Sequence, residues 1–154
     1  MRRIAWIWPA LVLVGCSEPQ QEAATLADSA TAAAPAAISL ADVAGMWNVR
    51  VMPEQGDTVV ASYVMTATPD TAGWSLTFTG RTESIPIHVM AVAGDSVVTH
   101  MGPFESAVRP GVMVQTEAVV RLQNGMLMGR AVGHYTVSGP DSVASFRLEG
   151  TRAQ

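Results

Sequence analysis

Few side chains in this sequence have the type and spacing to do chemistry, and they form three groups: a lone cysteine, a pair of histidines, and a strip of small residues among aromatics. Cys16 is the only cysteine, so no internal disulfide can form, and in an oxidising compartment a free thiol there is a liability. His88 and His100 flank a turn at Ala93-Gly94-Asp95. If the loop takes all three residues, the two imidazoles are direct cross-strand neighbours and half of a metal site. If it takes only Gly94-Asp95, they point to opposite faces. A third ligand would have to come from His134 or Glu117, neither at helpful spacing, so no metal or other cofactor is expected and His88 and His100 remain the only candidates. Serine, histidine and aspartate are present, but Gly-x-Ser-x-Gly, His-Glu-x-x-His and phosphate-loop motifs are absent, and nothing fixes a nucleophile beside a base. The chain is not expected to be an enzyme.

Along residues 126–137 one alternating face reads Leu127, Gly129, Ala131, Gly133, Tyr135. Small residues there leave room for an apolar ligand, lined by Tyr63, Trp74, Phe78, Gly129, Ala131, Gly133 and Tyr135. The same glycines equally suit bulges or coiling of a closed sheet filled by its own side chains. Met90, Met101, Met126 and Met128 read as adaptable core or cavity lining more simply than as soft-metal ligands. Glu117 and Arg130 are expected to pair on the surface, worth under about 1 kcal/mol.

The elements that must position these groups are bounded by composition. The 154 residues are 49% hydrophobic and 14% charged, which suits one core and a soluble body. All nine basic residues are arginines, and beyond Gly15 the balance is 7 − 13 = −6. Binding a phosphate backbone needs a basic stripe, and these arginines are scattered singly among acids, so a nucleic-acid partner is not expected.

Residues 1–15 read as a leader. Met1-Arg2-Arg3 is a basic start, and residues 4–14 are apolar throughout with Pro9 inside, a signal-peptide length too short for a membrane span. The stretch closes on Leu13-Val14-Gly15-Cys16, which resembles the lipobox of bacterial lipoproteins. That resemblance implies cleavage before Cys16, thioether diacylation of its sulfur and acylation of the new amino terminus. Two or more acyl chains, each adding about 0.8 kcal/mol per buried methylene, hold a protein where one chain binds only marginally. The expected partner is therefore a membrane of the cell envelope, reached through acylated Cys16. Ser17 stands where enteric lipoproteins retained at the inner membrane carry aspartate, which points to the outer membrane, facing the periplasm.

Residues 16–38 follow as a linker. Residues 17–37 are rich in Ala, Ser, Thr and Pro, with Leu26 as the one large apolar residue, and cannot build a core. As a flexible coil they reach about 25 Å, enough to hold a domain clear of lipid headgroups.

Residues 39–154 form the domain. Short alternating runs broken by turn residues predict eight strands, at 46–52, 58–68, 74–80, 84–92, 96–104, 111–122, 126–137 and 142–152. Asn124-Gly125 is the clearest hairpin signal, and short connections throughout make each strand pair with the next. The fold class is thus all-β, an eight-stranded antiparallel up-and-down barrel, entered by a short helical turn that Ser39 caps and Asp42 answers. A helical turn followed by Gly45-x-Trp47 at the start of such a meander resembles the lipocalin or calycin superfamily. The resemblance implies that Trp47 plugs one end of the barrel and that an arginine late in the last strand packs on its ring. Period-two alternation from Phe146 and Leu148 puts Arg152 inward, beside the start of the first strand, so Gly45, Trp47 and Arg152 are the barrel-closure candidates. The body is shorter than classical lipocalins and lacks their disulfides, and a similarly small barrel with this opening occurs in bacterial metalloprotease inhibitors. Two expectations for function follow. The barrel binds a small hydrophobic molecule, or it is solid and its loops, such as residues 102–110, engage an envelope protein or inhibit an enzyme.

Overall fold

The computed structural model describes residues 37–154. The leader, Cys16 and the linker up to residue 36 lie outside the described residues. The chain runs α1 (Leu40–Val43), β1 (Gly45–Pro53), β2 (Ala61–Ala67), β3 (Ser75–Phe78), β4 (Ile85–Ala93), β5 (Ser96–Glu105), β6 (Met113–Gln123), β7 (Met126–Tyr135), a 3-10 turn (Pro140–Ser142) and β8 (Val143–Arg152). Every strand pairs antiparallel with the next, and β8 returns to β1, giving a closed eight-stranded up-and-down barrel with no free edge. The closing seam runs from Trp47 opposite Arg152 to Pro53 opposite Phe146. No helix among the described residues is long and apolar enough to cross a membrane.

Alternation builds the interior. Trp47, Val49 and Val51 of β1 are buried while Asn48 and Arg50 are exposed, and Leu127, Ala131 and Tyr135 of β7 follow the same rule. Val97, Thr99 and Met101 of β5 and Ala118 and Val120 of β6 also belong to the inward set. Register also gives the barrel two poles. Gly45 lies opposite Ala67, and the tight turns after β4 and β6 fall at this same pole, where Ile38 N donates to Gly94 O at 2.9 Å. The loops after β1, β3, β5 and β7 fall at the other.

α1 forms for the reason expected from its sequence. Ser39 Oγ accepts from Asp42 N at 3.3 Å, and the Asp42 carboxylate accepts from Ser39 N at 2.8 Å, so each satisfies the other's unpaired helix-end group.

Several boundaries differ from the sequence expectation. Strand β2 begins at Ala61, not at residue 58, because the preceding loop is drawn outward at Gly56-Asp57, where Arg147 Nη2 donates to Gly56 O at 2.6 Å and Asp57 Oδ1 at 2.7 Å. Strand β6 begins at Met113 because Arg109 O accepts from Val112 N, closing a turn that holds Gly111 at positive φ. The turn after β4 takes only two residues, since Ala93 pairs with Ser96. A two-residue turn was expected to put His88 and His100 on opposite faces. They are instead directly opposed, because a bulge between Val89 and Ala91 slips the register by one residue.

Candidate functional site

The pole that carries α1 is closed. Trp47 is fully buried and its indole Nε1 donates to Val43 O at 2.7 Å, so the helical turn lies across the barrel end as a lid over the ring. The Arg152 guanidinium sits 4.4 Å from the Trp47 ring centroid and donates to Ala44 O and Asp42 O, both at 2.8 Å. Gly45 allows this approach: its φ is +128°, and a Cβ there would lie 2.8 Å from Arg152 Nη1. The three closure residues are thus brought together. Arg152 itself is exposed, which puts its cation-π contact at the low end, about 0.5–1 kcal/mol.

The opposite pole holds an apolar cavity of about 60 Å³. Of the expected lining residues, Tyr63, Phe78, Ala131, Gly133 and Tyr135 line it. Trp74 does not. It is buried near the closed pole, where its Nε1 donates to Asp70 O at 2.9 Å and to Thr68 O at 3.1 Å. Gly129 is also absent from the lining, and a Cβ there would lie 2.6 Å from Val119 O and 3.2 Å from Val120 Cα. The two open readings of the β7 small face therefore divide along the strand. Gly129 is a close approach of backbones, while Ala131 and Gly133 border space.

Three residues of the β5–β6 loop, Ser106, Ala107 and Val108, reach over this cavity and were not anticipated as lining. Ser106 is 2% exposed, and its hydroxyl accepts from Val108 N at 3.1 Å and Arg109 N at 3.0 Å. That hydroxyl fixes the loop's bend from inside. A serine three residues before the Arg109-Pro110-Gly111 turn is the one local signal for it in the sequence. Two arginines pin the loop from outside. Arg81 donates to Glu105 O at 2.8 Å and Ser106 O at 3.2 Å and lies 5.7 Å from the Phe78 ring; Arg109 lies 4.3 Å from the Tyr135 ring and donates to Asp141 O. Phe78 stands 5.7 Å from Tyr63 edge-on and 5.9 Å from Phe104, so one wall of the cavity is a run of aromatic rings.

No family model, no curated protein and no solved structure matches this chain. What the cavity can do is read from its size and lining. The cavity is smaller than the roughly 150 Å³ apolar void that admits benzene and far below the 300–1,000 Å³ of ordinary ligand pockets. It accommodates a few heavy atoms, and the unbranched, flexible Met101 side chain in its wall is the group best able to yield more.

On the outer face His88, His100 and Glu117 fall in one row across β4, β5 and β6. Among the described residues, however, no group of three or more His, Cys, Asp or Glu is placed to hold a metal ion. The expected Glu117–Arg130 pair is not formed. Arg130 reaches instead to Glu54 at 3.2 Å, because the loop at residues 54–60 folds back along the barrel's outer face.

Proposed function

We propose that this chain is a lipid-anchored envelope lipoprotein, tethered through acylated Cys16 to the outer membrane and facing the periplasm, whose lipocalin-like barrel binds a small hydrophobic ligand at its open pole. The observation that carries the binding half is the cavity among Tyr63, Phe78, Ala131, Gly133 and Tyr135, apolar and closed below by a sealed core. The anchor half rests on the Leu13-Val14-Gly15-Cys16 motif. The described chain begins at the closed pole, where Ile38 N donates to Gly94 O, at the end of the barrel away from the cavity. Neither a nucleic-acid partner nor an enzymatic activity belongs to this reading.

The experiment is a pair of mass measurements. Denaturing mass spectrometry of the mature protein should give a chain beginning at Cys16 with added acyl mass, and an unmodified Cys16 removes the anchor. Native mass spectrometry should show a small co-purified adduct that an added hydrophobic probe displaces. Absence of both adduct and probe binding removes the ligand.

The cavity's small volume favours a second reading, in which the barrel is essentially solid and the arginine-pinned β5–β6 loop engages an envelope protein or inhibits an enzyme. On that reading the native spectrum lacks the adduct, and substitutions in the loop alter capture of a protein partner without altering stability.

A further inference from the structure

Every residue bordering the cavity is uncharged, and its polar side chains are only Tyr63, Ser106, Thr116 and Tyr135. Moving a charge into such surroundings without a partner costs several kcal/mol, far more than a few buried carbons return. The part of any ligand that enters must therefore be neutral. Nor does the rim recruit an anion: Arg81 and Arg109 are turned onto backbone carbonyls and aromatic rings, while Glu54, Asp57, Glu83, Glu105 and Asp141 belong to the same pole.

Hydroxyl groups add a second condition. Tyr63 is 7% exposed, stands on the cavity wall at mid-strand, and makes no side-chain hydrogen bond to any described residue. The hydroxyl is not sealed off, since Arg147 Nε is the one enclosed side-chain polar atom without a partner among the described residues, so a ligand that enters beside Tyr63 displaces water and must replace the acceptor that water supplies. Burial pushes the Tyr63 phenol well above its ordinary range, so the group stays protonated and available as a donor. Ser106 differs, because its oxygen already accepts two backbone amides. Tyr135 also makes no side-chain hydrogen bond to a described residue, but it stands at the last position of β7, with Arg109 over its ring.

We infer that the ligand is a neutral molecule with a short apolar body and one accepting oxygen, of the ketone or alcohol class, whose oxygen takes the hydrogen of the Tyr63 hydroxyl. This inference rests on the ligand-binding reading above and narrows it from apolar molecules in general to those carrying a single neutral acceptor. The cavity volume sets the size: the oxygen and the carbons next to it fit inside, and a longer body extends past Val108 and Phe146 to the mouth.

The test compares two probes of similar length, pentan-2-one and n-pentane. Each is titrated at known free concentration into the full chain in lipid nanodiscs, with methyl-labelled Met101 and Ala131 followed by NMR. Saturable shifts at both methyls, with the ketone bound about five-fold tighter than the alkane, are the expected result, five-fold being the worth of one ordinary hydrogen bond. In Tyr63→Phe the ketone's advantage should vanish while alkane affinity holds. Equal affinities in the unmutated chain, a comparison that needs no variant to fold, overturn the inference and leave the apolar-ligand reading standing. A ketone preference that survives in a well-folded Tyr63→Phe also overturns it. Failure of both probes to saturate the methyl shifts overturns the inference together with the reading beneath it.

Discussion

The same eight strands end in opposite ways at the barrel's two poles. At the closed pole two tryptophans are buried to within 2% of full burial, and each indole N–H is satisfied by a backbone carbonyl. At the open pole aromatic rings stand around the small residues Ala131 and Gly133, Phe146 is only half-buried, and a loop held by arginines replaces a helical lid. Large residues with satisfied polar tips close one end. At the other, the gaps at Ala131 and Gly133 leave space between the rings. On the proposed ligand-binding reading, stability and binding are separated along one axis, and a substitution should affect one more than the other according to its height in the barrel.

The sharpest break of that contrast is Trp47→Ala, which should cost about 3–5 kcal/mol in urea unfolding, against about 1 kcal/mol for Phe146→Ala. Equal costs would mean the open pole is packed as tightly as the closed one. Next in size is a pair on one strand. A methyl at Gly129 drives into the β6 backbone, so Gly129→Ala should destabilise by about 2 kcal/mol. At Gly133 a Cβ meets only the Val114 and Tyr135 side chains, at 3.3 and 3.4 Å, so Gly133→Ala should cost less than about 1 kcal/mol while weakening probe uptake. Removing the cation over Trp47 with Arg152→Met should cost about 1 kcal/mol and leave probe affinity unchanged. Arg81→Met acts at the other end. Global stability should shift by less than about 1 kcal/mol, yet exchange of the Ser106 amide, which donates to Val112 O, should quicken about ten-fold as the loop loosens.

The smallest effect concerns Asp42. Its carboxyl is held below the ordinary value of 3.8 by hydrogen bonds from the Ser39 hydroxyl and then the Ser39 amide. Because the folded value is lowered, this contribution is fully present above the unfolded value and is lost as pH falls through the folded one. An NMR titration should place the Asp42 midpoint below 3.8, with Asp42→Asn removing the response. A midpoint at or above 3.8 would mean the cap is open in solution.

Much of the scaffold was legible in the residues. Period-two alternation and turn chemistry gave the eight strands and their order, and Gly45, Trp47 and Arg152 meet as the resemblance stated at the outset implied. What alternation cannot report is an inserted residue, so the bulge after Val89 that brings His88 opposite His100 was hidden. Trp74 shows a different limit. Its inward parity was right, but its height put it beneath the turn at residues 68–73 and outside the cavity. Composition of the β7 face likewise could not tell Gly129 from Gly133, because the difference lies in how closely β6 approaches at each point. Arg130 finds Glu54 for a comparable reason, since the partner comes from a loop distant in sequence.

Xenon tests the division between poles most directly, because it enters dry apolar space without needing any particular polar contact. Crystals of the protein under xenon pressure should show one dominant site, bordered by Tyr63, Met101 and Gly133 in the open half of the barrel, and none beside Trp47 or Trp74. Xenon at the tryptophan pole, or no ordered xenon inside the barrel, would contradict it.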